Sequence, residues 1–184
     1  MQLIKAKEIA EKYVAMLASY CEKISIAGSI RREKEEVNDI EIVCVPKIER
    51  SSRIDLFGNS ETGAYRPVKE FMELVDSLEK IKGQADQKYT RRKLPEGIEL
   101  DLFMPNIDNW GYILLIRTGD WEYSKSIVTQ LKKRGYTCEG GYIWQGKKQL
   151  VTKDEQTVFD LCALPFIQPK QRTIKQKEYE YQRT

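Results

Sequence analysis

Apolar residues mark out the elements along this chain. From about Lys5 to Cys21, Ile9, Tyr13, Met16, Leu17 and Tyr20 recur at helical spacing, which predicts an amphipathic helix. Ile24 to Ala27 is a short β-prone run that stops at Gly28. Ile40, Ile42 and Val43 to Val45 read as a strand closed by Pro46. Glu49 to Tyr65 holds three serines and two glycines and reads as a loop. Pro67 then suits the start of a helix with Val68, Phe71, Met72, Val75 and Leu78 on one face.

Two further strands, Lys88–Leu94 and Ile98–Met104, are separated by Pro95-Glu96-Gly97, a turn sequence. The pattern changes at Pro105 to Asn109, where a domain boundary is expected. Helical segments follow at about 110–116 and 121–134, the second stopped by Gly135. Residues 136–151 contain Gly140-Gly141 and Gln145-Gly146 between aromatic and aliphatic runs, which suggests short hairpin strands. Thr152 and Glu155 have capping-box spacing for a last helix to about Ala163. Lys170 to Thr184, with five basic and two acidic residues, is expected to be a flexible tail.

One strand breaks its own pattern. In GSIRREKEEVNDIEIVCV, Asp39 and Glu41 sit inside an apolar segment, and residues two apart on a strand share a face. Ile40 and Ile42 would face the core while the two carboxylates project together on the other side. Neighbouring carboxylates repel one another, so the pair calls for solvent, a basic partner or a divalent cation. Asp101, in IELDLFM, is a third acid in an apolar strand. If its strand pairs beside the first, three carboxylates converge.

Composition narrows the chemistry. The chain has no histidine, which removes imidazole metal sites and Ser-His or Cys-His catalysis. Its four cysteines, Cys21, Cys44, Cys138 and Cys162, are scattered and suit buried free thiols. Hard oxygen ligands therefore point to Mg²⁺ or Mn²⁺. No run approaches the ~20 apolar residues of a membrane helix. The N-terminus has no apolar signal core, so an intracellular, cytoplasmic protein is expected.

Charge is uneven. Residues 1–108 carry 18 basic and 20 acidic side chains, and residues 109–184 carry 13 and 8. Lys80 to Lys93 has six basic residues against the single acid Asp86. Basic surface in two places suits a polyanionic partner, although a solvated charged face reads the same way. Gly28-Ser29, at a strand end, offers backbone N–H groups and a hydroxyl to a phosphate, with Arg32 placed to contact further oxygens. A phosphate turn followed by paired metal-binding acids is equipment for nucleotidyl transfer.

GSIRR…DIEIVCVP, with IELDLF, RTGDWEYSK and the closing VFDLCALPFIQPKQR, resembles the family X, DNA polymerase β-like nucleotidyltransferases over about residues 3–172. The resemblance implies an α+β fold. A nucleotidyltransferase palm with a mixed β-sheet and flanking helices would span 1–108, a small α+β thumb 109–170 and a basic polar tail 171–184. Catalytic and metal-binding roles would fall to Asp39, Glu41 and Asp101. Gly28, Ser29, Arg32, Thr118, Gly119, Trp121 and Ser124 would bind the incoming dNTP. Lys88, Arg91, Arg92, Lys93 and Lys125 would contact DNA.

The resemblance further implies an Mg²⁺-dependent monomer, with Mn²⁺ as a possible substitute, that extends a DNA primer 3′ end at a primer-template or short gap in repair. No membrane partner and no lyase domain are expected. Ile116-Arg117 stands where the family often has an aromatic pair. Three alternatives stay open at this point: transfer to RNA, protein or a small acceptor; template-independent terminal transfer; and a non-catalytic nucleic-acid-binding module.

Overall fold

The first helix takes its place from a stripe. In α1 (Leu3–Ala18), Ala6, Ile9, Ala10, Tyr13 and Leu17 are buried, mostly three or four residues apart, while the lysines and glutamates between them face solvent. The computed structural model describes residues 1–54 and 60–174. After α1 come β1 (Cys21–Ile26), a single helical turn α2 (Gly28–Arg31) and β2 (Asp39–Pro46). A hairpin, β3 (Ile48–Ile54) and β4 (Ser60–Pro67), leads to α3 (Lys69–Asp76), β5 (Glu79–Lys82), β6 (Tyr89–Lys93) and β7 (Glu99–Phe103). Next follow α4 (Trp110–Thr118), α5 (Trp121–Lys133), the strands β8 (Thr137–Glu139), β9 (Tyr142–Gln145) and β10 (Lys148–Leu150), and α6 (Glu155–Cys162). The chain is α+β.

Five strands form one mixed sheet in the order β1-β2-β7-β6-β5. Only β2 and β7 run parallel, with Glu41 opposite Asp101 and Ile42 opposite Leu102. Alternation then sorts the side chains. Ile40, Ile42, Leu100 and Leu102 enter the core built with α1 and α3. The other face carries Val43 and Phe103 at one end, where Trp110 and Leu114 of α4 cover it, and carboxylates at the other. A second core, built on Leu115, Ile127, Leu131, Ile143 and Phe159, holds α4, α5, α6 and the strand triplet β10-β9-β8 together.

Several expectations need correction. Residues 49–65 form most of the β3–β4 hairpin rather than a loop, with 55–59 outside the described residues. Ile48 and Tyr65 stay exposed there, so no alternating apolar face announces the ribbon. β5 escapes notice for the same reason, since all four of its residues are exposed. Its presence makes β6 an interior strand. The cap of α6 is Asp154, whose side chain accepts from the Thr157 backbone N–H at 2.8 Å, and Thr152 is instead buried. The expected tail does not begin at Lys170, because Arg172 is completely buried; residues 175–184 lie outside the described residues. No helix among the described residues is long and apolar enough to cross a membrane.

Candidate active site

The parallel pairing of β2 with β7 brings the three acids to one face. Asp39 stands opposite Glu99, and Glu41 opposite Asp101. On the far side of β7, β6 sets Arg91 opposite Asp101 and Lys93 opposite Glu99. Four carboxylates and one guanidinium thus share a patch of three strands. Arg91 joins them: its Nε and Nη2 donate to the two oxygens of Asp101, each at 2.6 Å, and its Nη1 donates to Glu99 at 2.9 Å. Asp39 lies 3.9 Å from the same guanidinium. Tyr89 completes the shell, donating from its hydroxyl to Asp101 Oδ1 at 2.9 Å while stacking on Phe103.

The electrostatics follow from burial and crowding. Burial pushes Glu41 up to about 7, and repulsion from Asp39 and Asp101 adds to it against the pull of Arg117 and Arg32. Burial also raises Asp39, with Asp101 adding to the shift and Arg91 opposing it. The hydrogen bonds that Arg91 donates to Asp101 hold it firmly protonated. The patch is short of positive charge at its Glu41 end.

The turn beside it is shaped around that carboxylate. Gly28 has φ +58°, and a Cβ built on it would overlap Glu41 Oε2. Next to it, the Ser29 hydroxyl is buried with no hydrogen-bond partner among the described residues. A buried donor without a partner marks a place for a ligand acceptor. Arg32 donates to the Thr118 carbonyl at 2.7 Å and so borders the same space.

A cleft of about 570 Å³ opens from Glu41 and Arg32 past Arg117 and Gly119 to Trp121 and Lys125. At Gly119 a Cβ would come within 2.6 Å of Tyr123 and 2.8 Å of the Ser124 hydroxyl, so the turn from α4 into α5 requires glycine. Asp120 caps α5 by accepting from the Tyr123 N–H at 2.7 Å. Trp121 is 79% exposed at the rim.

Not every candidate residue reaches the cleft with a free group. Thr118 is buried and its hydroxyl accepts from Arg31; the Ser124 hydroxyl donates to the Ile116 carbonyl at 2.7 Å. Both shape the wall. Arg92 alternates to the opposite face from Arg91, where it is buried and donates to Asp76 at 2.8 Å. It cannot follow a DNA backbone from there, and Arg91 is held among carboxylates. Lys88, Lys93 and Lys125 remain exposed.

The sequence reading gave no site role to Tyr89, Arg117, Arg31, Glu155 or Arg172, and gave Arg91 a different one. Arg91 with Tyr89 was signalled by strand alternation, which places residues 89, 91 and 93 on the acid face. Arg117, over the Phe103 ring at 4.0 Å, gave no signal. Arg31 and Arg172 both bond Glu155, the former at 2.7 and 2.8 Å. Helical spacing puts Glu155 on one stripe with the buried Val158, Phe159 and Cys162, and that marked it as a paired interior acid.

Among the described residues no three carboxylates or thiols already stand together as a metal-ligand cluster. The donor set nevertheless fits a hard divalent cation: Asp39, Glu41 and Asp101 offer only oxygens, and a guanidinium stands in among them as the cation. No protein-family model and no curated protein matches the chain.

Proposed function

We propose that this protein is a metal-dependent nucleotidyltransferase that transfers a nucleotide from a dNTP to the 3′ end of a DNA primer, built as a minimal family X palm and thumb. One observation carries the reading. Three carboxylates share one face of the parallel strands β2 and β7, and one of them, Glu41, packs under the Gly28-Ser29 turn and lines a cleft together with Arg32, Arg117 and Lys125. A triphosphate needs that combination of hydroxyl, backbone and cationic donors, and its metal ions need the carboxylates.

Asp39, Glu41 and Asp101 would hold Mg²⁺, which would polarise the transferred phosphoryl group and ease ionisation of the primer hydroxyl. The Ser29 hydroxyl donates to a phosphate oxygen, and Arg32 adds charge to the same side. Gly28 leaves room for Glu41 beneath the turn. Trp121 presents an aromatic face at the rim, on which a base can stack. Asp101, in a position that Tyr89 fixes, orients the primer hydroxyl and takes its proton as the 3′ oxygen bonds the α-phosphorus, the α–β phosphoanhydride bond breaks and pyrophosphate leaves. A linear nucleic acid is favoured over a small acceptor because residues 109–184 carry 13 basic against 8 acidic side chains, with the exposed Lys125 among them on the cleft wall.

The test is single-nucleotide extension of a labelled primer with Mg²⁺ on gapped DNA, open primer-template and single strands, each with dNTPs and NTPs. The reading expects incorporation of the complementary dNTP on gapped DNA and its loss in Asp101→Ala. Extension of single strands without template selection would make the protein a terminal transferase. Silence on all substrates, from protein that still binds dNTP, would turn the assignment to a small acceptor.

A further inference from the structure

We propose that Arg91 is a positioning residue that also acts as a displaceable stand-in for the metal. Its guanidinium occupies the carboxylate site in the cation-free protein, and it moves from Asp101 to Glu99 when a divalent cation enters. The inference rests on the metal-binding reading of Asp39, Glu41 and Asp101.

The geometry shows why the two cations exclude one another. Both oxygens of Asp101 lie in the fork of Arg91, at 2.6 Å each. A bidentate pair of this kind uses the in-plane lone pairs that a metal ion would need. Asp39, 3.9 Å from the same nitrogen, feels the same charge. While Arg91 stays there, both oxygens of Asp101 are occupied, and Asp101 cannot join Asp39 and Glu41 around a metal.

The same geometry shows how Arg91 leaves. Among the described residues its hydrogen bonds run to Asp101, Glu99 and the Tyr89 hydroxyl, with Asp39 at 3.9 Å, and a third of its side chain is exposed. Arg92 makes the contrast, with 1% exposure in the core. Glu99 offers the landing place: it is 44% exposed at the start of β7 and already accepts from Nη1 at 2.9 Å. Giving up Asp101 therefore leaves Arg91 paired, not stranded. Tyr89 keeps its own bond to Asp101 Oδ1 and is fixed by its stack on Phe103. Asp101 stays aimed when the arginine departs.

The experiment titrates Mn²⁺ into the full chain, without nucleotide, and reads free Mn²⁺ by electron paramagnetic resonance. Wild type is compared with Arg91→Met, Arg91→Lys and Asp101→Asn, folding being checked by near-ultraviolet circular dichroism. Removing the competing cation should tighten Mn²⁺ binding about tenfold or more in Arg91→Met. Arg91→Lys, which keeps the charge but not the fork, should fall between. Asp101→Asn should lose the site. Should Arg91→Met fail to fold, the lysine variant decides alone. A purely structural arginine would give equal or weaker Mn²⁺ binding in the folded variants, and that result overturns the proposal while wild-type binding keeps the metal reading. Absence of Mn²⁺ binding in every protein, with or without dNTP, removes the metal reading and the proposal with it.

Discussion

Gly28 and Glu41 share one volume: the carboxylate of Glu41 fills the place where a side chain on residue 28 would begin. The turn after β1 and the acid on β2 are therefore one unit. Gly28→Ala meets two penalties, overlap with Oε2 and a left-handed φ of +58°. The backbone part alone costs roughly 1–2 kcal/mol. For a chain of this size that corresponds to a melting temperature lower by about 2–8 °C. The displaced Glu41 should cost nucleotide binding more than the fold. A thermal scan with a dNTP titration checks both, and an alanine variant with native melting and affinity would sink the idea.

Glu41 also makes stability depend on pH. Its folded value of about 7 lies above the ordinary 4.5, chiefly through burial. The folded state therefore holds this proton more tightly than the unfolded state. Its contribution is fully present below about pH 4.5 and is lost as pH rises through about 7. Glu41→Gln should be more stable than wild type at pH 8, by about 1–3 kcal/mol. The gap should close by pH 5. Urea melts at both pH values measure it, and a pH-independent gap would refute the assignment.

How much of this was legible beforehand depended on whether one face of an element was buried. Strand β2 announced itself because Ile40 and Ile42 alternate with acids, and the helices because their stripes are buried. The β3–β4 ribbon and β5 were illegible, since Ile48, Tyr65 and all of β5 are exposed and no apolar alternation marks either sequence. Asp39, Glu41 and Asp101 were found as acids out of place. Their facing register could be posed from sequence only as a condition, because pairing between strands some sixty residues apart leaves no local trace. Arg91 and Arg92 look alike as neighbours in a basic run, and only the alternation of β6 separates a site residue from a core residue.

Glu155 ties the turn of α2 to the segment around Arg172. It accepts from Arg31 and from the completely buried Arg172. Burial pulls its carboxyl upward, but the hydrogen bonds from Arg31 and Arg172 outweigh it and leave the group below its ordinary value. Glu155→Gln leaves two guanidiniums without their counter-charge, which costs about 3–5 kcal/mol for a buried pair. The folded value is depressed, so the contribution is present above the ordinary glutamate range and fades as pH falls through the folded value. Urea denaturation should show a large loss at pH 7 that shrinks in acid. A loss below about 1 kcal/mol would place the triad among ordinary surface pairs.

The basic residues of β6 and its neighbours divide into two classes, and salt separates them. Lys88, Lys93 and Lys125 are exposed, whereas the Arg92 guanidinium is buried against Asp76. Each lysine that contacts a phosphate releases condensed counterions, so replacing it by alanine should reduce the slope of log affinity against log salt by about 1. Arg92→Met should leave that slope unchanged. It should instead lower stability, because Asp76 loses its partner and the core exchanges a forked side chain for a shorter one. DNA binding measured between about 50 and 200 mM salt, beside a thermal melt, distinguishes the two effects. If Arg92→Met changed the slope and none of the lysine variants did, β6 would meet DNA through the face that here lies in the core.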